Sequence, residues 1–496
     1  MKRVFVLFAA MLCAAMPLMA TGGAESGAAG KAVPKVTVVG PGDVGGMPAK
    51  EADFVGRELS KRLAIDFEFV PILADYMQQI NVRIAGGNPP DVFVASDKNH
   101  LAQIVQQQAA LQLDAYLDQV PTIKSKFTAD DLMKGKVDGK LYAIAKRPYM
   151  RYGSFLARGD WFQALKLEQP KTLEDFSAVL KAFTFQDPDG NGKQDTFGVT
   201  GTDGVNSFPP IYGAYGTVAR GQWMIKNNQA VYAVTDPGFR NAVAYIKGLV
   251  DAGVVDPELM ANKGSAASNK CINGQAGMMY GNFWNFYKPE FDTRIKAVNP
   301  KASWVLLDTV SGPGGVRSDI GWDVVSTAGR YVFSSALAKK KATLDGALRL
   351  FDYVTTEEGQ RLVLYGLENV HYKLQDGRAI PIDEKVKEIT YLFQLQFTGR
   401  DDFPYLMNKY PWSREPLAFV QKLPYTPIYN GLINNPRDMN PSDMYRYEEE
   451  QITKFIYGSA PLSGWNAFLD TMYRTYGLQK YVDQANANLK AAGYLK

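Results

Sequence analysis

Apolar and polar positions follow a repeating order near the start of the chain. Lys35, Val36, Thr37, Val38 and Val39 form a β-branched run that predicts a strand. Gly40, Pro41, Gly42 and Asp43 close it with a loop. Helical spacing of apolar residues covers 49–63, and 65–70 alternates as a second strand. A helix over 76–85 follows, Pro89 and Pro90 interrupt the chain, and 91–95 predicts a third strand. A βαβαβ order of this kind argues for a parallel sheet with helices on both faces. Helical spacing returns at 101–108, 172–183, 237–252, 342–354 and 357–365, and runs through 466–492. Strands are predicted at 277–280, 304–307 and 322–326, and no internal repeat is visible.

The first twenty residues have a different character. Lys2 and Arg3 precede an apolar run from Val4, broken only by Pro17, which ends at Leu18, Met19 and Ala20. This pattern predicts a cleaved secretory signal peptide over 1–20, followed by a flexible linker of small residues over 21–34. Cys13 lies inside the apolar run, so Cys271 is the only cysteine of the expected mature chain and no intramolecular disulfide is expected. The length of 496 residues exceeds one ordinary core and predicts two lobes. A net charge of +4 without basic runs gives no nucleic-acid surface. No other stretch is apolar enough for a span, so membrane contact is expected only through a partner.

Several motifs bear on chemistry. Gly40, Gly42 and Gly45 fit the G-x-G-x-x-G spacing of a dinucleotide site. Pro41 and Pro48 bracket a loop where that motif needs a helix to begin, so the reading is rejected in favour of a loop at a strand's carboxyl end, where Asp43 can meet a ligand. Asp187, Asp189, Asn191, Lys193 and Asp195, with Gly192 at the turn, match the first part of an EF-type calcium loop. The glutamate expected at position twelve is replaced by Gly198, and the same residues also favour a polar turn held by Asx hydrogen bonds. With only His100 and His371, a multi-histidine zinc site cannot form, and no nucleophile motif accompanies either. Each is expected to be an ordinary polar or capping residue. A glycosidase built on paired carboxylates leaves little sequence trace and stays open. Among the tryptophans, Trp161, Trp304 and Trp465 read as packing. Trp223, Trp284, Trp322 and Trp412 lie among polar residues in predicted loops, where a ring can serve either the core or a sugar face.

Taken in order, several stretches resemble the extracellular solute-binding proteins of the large sugar-binding family of ABC importers. They include Pro90-Asp91-Val92, Leu113-Asp114-Ala115-Tyr116-Leu117, Asp138-Gly139-Lys140-Leu141-Tyr142-Ala143-Ile144, Arg158-Gly159-Asp160-Trp161, Asn273-Gly274-Gln275-Ala276-Gly277-Met278 and Gly366-Leu367-Glu368-Asn369-Val370-His371-Tyr372. The chain is most similar to the long branch with calcium-containing alginate-binding proteins and LipO-like receptors. That resemblance implies a two-lobed periplasmic-binding-protein fold (type II) of α/β class, each lobe a mixed, mostly parallel sheet flanked by helices. It implies an N-terminal lobe from 33–145 and 309–372, and a C-terminal lobe from 146–308 and 373–496. It implies structural Ca²⁺ held by Asp187, Asp189, Asn191, Asp195 and the Lys193 carbonyl, although Thr196 stands where the branch has an acid.

In that fold the cleft candidates are Asp43, Asp97, Arg151, Tyr152, Tyr215, Trp223, Trp284 and Trp322. The acids would accept from sugar hydroxyls, the rings would stack, and Arg151 would suit a carboxylated sugar. The implied function is a monomeric, non-enzymatic periplasmic or extracytoplasmic receptor that closes on a sugar or oligosaccharide and docks on an ABC permease. The alternatives are a secreted polysaccharide-degrading enzyme and a peptide receptor of the same architecture.

Overall fold

The computed structural model describes residues 33–42, 46–147, 150–436, 439 and 441–496. The predicted signal peptide, nearly all of the linker, and Asp43 lie outside the described residues. Strands Lys35–Pro41, Asp66–Ile72 and Val92–Ala95 form where β-branched runs were expected. Lys35–Pro41 pairs in parallel with both of the others, placing Val38 opposite Phe69 and Val92. Arg330–Phe333 joins antiparallel beside Val92–Ala95, and Ala143–Ala145 completes five strands.

The alternation of strand side chains loads both faces of this sheet. Val36, Val38 and Val92 face Leu344, Phe351 and Phe397. Val39, Phe93 and Ala95 face Ile80, Leu101 and Ile104 on the other side. The helix Tyr76–Ala85 has the predicted bounds. The first helix begins later than its periodicity suggested, at Phe54, because Asp53 caps it by accepting from the Gly56 N–H at 2.8 Å.

A second sheet has Gly153–Arg158 at its centre, flanked by Met278–Asn282 and Trp304–Leu307. Both ladders are antiparallel, and parallel pairing enters through single bridges such as Phe197–Ala276 and Thr200–Met279. The parallel ladders expected of each sheet are therefore confined to the first, where two parallel ladders join two antiparallel ones, and both ladders of the second are antiparallel. Phe155 and Ala157 face a large core with Phe176, Trp223, Phe239 and Ile452. Leu156 points to a separate cluster with Cys271, Phe283 and Leu417.

The helical stretch predicted over 466–492 is two helices, Trp465–Arg474 and Leu478–Ala491. The break falls at Gly477, whose φ of 71° suits glycine and ends helical geometry. The segment with Ile389, Leu392 and Phe397 packs under the first sheet, whereas Tyr405 and Leu417 pack beside the second. No helix among the described residues is long and apolar enough to cross a membrane.

Candidate functional site

The three parallel strands of the first sheet end on one side, the edge where open α/β sheets bind ligands. Asp97 sits there as N-cap of the helix Lys98–Gln106, and its Oδ1 accepts the His100 N–H at 2.8 Å. The Ser96 hydroxyl donates to its other oxygen at 3.1 Å. Asp97 is thus exposed, with its carboxylate partly engaged. His100 is held between Ser96 and Asn81, and burial pushes its pKa down, which keeps it neutral.

Charges from the capped helix, from the first sheet and from a separate two-stranded sheet meet beside this cap. Burial and the nearby Arg330 push the Lys98 ammonium down to about 8. Arg330 donates through Nε to the Lys134 carbonyl at 2.8 Å. Asp323, on the strand Gly321–Asp323, accepts the Val325 and Gly431 N–H groups at 3.0 and 2.7 Å. Burial raises its pKa, and the Arg330 and Lys98 charges oppose that rise. The Asn435 N–H donates to Asn99 Oδ1 at 3.3 Å, a direct bond between the helix after the third strand and the segment before Pro441. Along this line runs a groove of about 940 Å³. Asn99, Gln103 and Gln106 line one wall, and Asn434, Asn435 and Asn488 the other. Side-chain amides both donate and accept, which suits polyhydroxylated ligands.

The remaining candidates divide sharply. Tyr152 and Trp284 come together, with ring centroids 6.3 Å apart in an edge arrangement. Trp412 and Tyr410 meet Trp284 at 4.5 and 5.3 Å, so four half-buried rings form one aromatic surface. Trp322 is half-buried opposite Pro427, and no ring of the described residues stacks on it. Tyr215 ends the helix Pro209–Ala214 and tilts toward Tyr245 at 6.3 Å, packed on the large core.

Two expectations are corrected. Trp223 is fully buried between Tyr232 and Tyr481, at 4.8 and 5.0 Å, and belongs to the core. It lies on a hairpin strand, Trp223–Lys226, whose turn residues Asn227 and Asn228 gave its surroundings their loop-like composition. Arg151 is buried, and donates to the Leu423 and Gln421 carbonyls at 2.8 and 3.0 Å while stacking over Tyr425. Its guanidinium is buried and ties down that turn.

In the Asp187–Asp195 loop, Asn191 Nδ2 donates to Asp189 and Asp195, and Gly192 N–H donates to Asp187 at 2.9 Å. That Gly192 bond leads in holding Asp187 below the usual carboxylate range. Burial, and then the neighbouring Asp187 and Asp195 charges, push Asp189 up. Among the described residues no three His, Cys, Asp or Glu side chains form a ready metal cage. Thr196 is buried and its hydroxyl donates to the Phe183 carbonyl, which withdraws it from the loop.

Sequence reasoning missed Lys98, Asn434 and Asn488, since isolated polar residues hundreds of positions apart carry no local signal. It singled out Trp412 as a loop tryptophan without placing it beside Trp284.

Two sheets with a polar groove between segments of both define a two-lobed α/β protein of the binding type. The model of the bacterial extracellular solute-binding proteins matches residues 65–361. The chain belongs to that family. It is 26% identical over 350 residues to the polygalacturonan/rhamnogalacturonan-binding protein YtcQ of Bacillus subtilis, covering 69% of this chain and 68% of that protein. The alginate-binding protein AlgQ2, solved without calcium ion, superposes with a TM-score of 0.71 at 17% identity, over 93% of this chain and 99% of AlgQ2. An EF-hand mutant of the substrate-binding protein FusA of S. pneumoniae, in complex with fructo-nystose, gives 0.69 at 16%, over 92% and 99%. These likenesses bear out the two-lobed fold expected from the sequence.

Proposed function

We propose that this protein captures an oligosaccharide outside the cytoplasmic membrane and delivers it to the permease of an ABC importer. The observation that carries the reading is the amide-lined groove drawn from both sides of the molecule, Asn99 and Gln103 against Asn434 and Asn488. Hydroxyls bind there through paired donors and acceptors, while the Tyr152, Trp284 and Trp412 rings offer flat apolar faces to sugar C–H surfaces. Asp97 and Trp322 stay in the proposal as contacts at the groove's margin, Tyr215 as an outer one, and Asp43 as part of the loop after the first strand.

The lobes are assigned to 33–145 with 309–372 and to 146–308 with 373–496, with the Ile389–Phe397 stretch docked under the first. Ligand favours the closed arrangement by touching both lobes. The receptor works as a monomer, leaves its ligand chemically unchanged, and is exported by a cleaved signal peptide.

The test is a thermal melt with a panel of oligosaccharides and peptides, followed by product analysis. Stabilisation by a sugar without turnover supports the receptor. Turnover points to a degrading enzyme, and stabilisation by peptides alone to a peptide receptor.

We also assign the Asp187–Asp195 loop to Ca²⁺. Its donors are all hard oxygens: the Asp187, Asp189, Asp195 and Asn191 side chains and the Lys193 carbonyl. When bound, the ion supplies positive charge beside Asp189, which burial and then the neighbouring Asp187 and Asp195 charges now raise. Removing divalent ions with a chelator is expected to lower the melting temperature by several degrees, and an unchanged melt overturns this assignment.

A further inference from the structure

A second cavity, of about 620 Å³, lies where the helix Glu357–Tyr365 meets the helix Asp402–Lys409. Arg147, Arg378 and Arg414 all line it, together with one acid, Asp401. None of the three arginines takes part in an ion pair among the described residues. Arg147 Nε is enclosed by protein and has no hydrogen-bond partner. Arg414 spends only Nε, on the Met407 carbonyl at 3.1 Å, which leaves its two terminal nitrogens. Arg378 is exposed at the start of the strand Arg378–Pro381.

Arg147 is held in place by a close approach of backbone. A Cβ on Gly399 would come within 2.5 Å of the Arg147 nitrogen, and Gly399 has a φ of +75°. Phe403 and Tyr365 supply apolar wall on the same cavity. Lys146, next to Arg147, is buried and donates to the Phe393 carbonyl at 3.2 Å. Burial and the Arg400 charge push its ammonium down to about 7.

We propose that this cavity binds a ligand carrying a carboxylate on a ring. Arg378 and Arg414 engage the carboxylate with their forked N–H groups, Arg147 donates from the cavity floor, and the ring packs against Phe403 and Tyr365. Guanidinium matches a carboxylate bidentately, and an excess of two positive charges over Asp401 favours an anion over a neutral guest. Tyr410 and Trp412 meet Trp284, and none of these three rings lines the cavity. The inference therefore goes beyond the oligosaccharide reading and does not require it.

Calorimetry in low-salt buffer tests it, with trigalacturonate, its methyl ester and benzoate as probes. The free acid is expected to bind at least about tenfold more tightly than the ester, and to weaken as salt screens the arginines. The double variant R378Q/R414Q, altered at exposed positions, is expected to lose about tenfold or more for the acid while keeping any neutral-sugar affinity of the parent. Binding of trigalacturonate alone identifies an acidic sugar, and binding of benzoate identifies a free organic acid. Equal binding of acid and ester, no binding of either acid, or undiminished acid binding by the double variant overturns the proposal.

Discussion

Around the first sheet, Asp53 and Asp352 meet the N–H groups of helix starts, whereas in the region of the second sheet Glu448 and Asp319 are buried against phenols. Asp53 accepts from the Gly56 N–H and the Tyr391 hydroxyl, and Asp352 accepts from the N–H groups of Thr122 and Ile123. Glu448, by contrast, is fully buried with the Tyr232 hydroxyl at 2.6 Å, and Asp319 is buried with Tyr280 at 3.0 Å. A peptide N–H at a helix start carries part of the macrodipole and favours a charged acceptor. A lone phenol inside an apolar core does far less to offset desolvation. A carboxylate is therefore a capping device at Asp53 and Asp352 and a pH-sensitive group at Glu448 and Asp319.

The largest effects separate the two regions mechanically. Phe351 packs among Tyr331, Phe333 and Phe397 in the first core, and truncation to alanine is expected to cost about 3–5 kcal/mol. Trp161→Ala, against Phe183 and Arg158 in the second core, is expected to cost about as much. All seven tryptophans lie at 161 or beyond, and none is in the first core. Urea unfolding of Phe351→Ala is thus expected to shift the circular-dichroism transition while tryptophan emission holds near the wild-type midpoint. Coincident shifts in both signals would mean that the two cores melt as one unit.

Next in size is the pH dependence of the second core. Burial raises Glu448 from the ordinary glutamate value of 4.5 to about 7, and Asp319 from 3.8 to about 7. The folded state then holds protons that the unfolded state has released between those values. Stability is accordingly highest below about pH 4 with respect to these two groups and falls as pH rises toward 7, on the order of 3 kcal/mol for Glu448 alone. Glu448→Gln keeps the shape and removes the titration. Its melting temperature is expected to lose much of the wild-type decline between pH 5 and 7. An unchanged slope would place the charge elsewhere.

The contrast also explains what could be read from the sequence. The three parallel strands of the first sheet were legible nearly to the residue, because Val38 and Val39 alternate between two apolar faces and each of these strands is followed by a helix of regular spacing, whereas Ala143–Ala145 and Arg330–Phe333 were not expected as strands. The second region hid its pairing. Gly153–Arg158 contributes to two different cores through successive residues, and its partners arrive more than a hundred positions later. Trp223 shows the limit for the site. Local polarity marks a turn, and the turn's asparagines said nothing about Tyr481, which buries the ring from the far end of the chain. Tyr152 and Trp284 were legible as chemistry, but their meeting with Trp412 depends on tertiary folding alone.

The smallest effect compares one motif in both regions. Thr172 and Thr128 each cap a helix with a complete box. Thr172 Oγ1 accepts the Asp175 N–H at 3.1 Å and Asp175 returns the bond to the Thr172 N–H, and Thr128 does the same with Asp131. The helices differ. Leu173–Phe185 has thirteen residues and buries Phe176, Leu180 and Phe183, while Ala129–Met133 has five and buries none. A cap stabilises the protein only as far as the helix it starts is coupled to the core. Thr172→Ala is therefore expected to cost about 1 kcal/mol in urea unfolding, and Thr128→Ala less than about half of that. Equal losses would show that the short helix near Asp131 is bound to the first core as firmly as the long one is to the second, through contacts such as the Lys134–Asp131 pair at 3.0 Å.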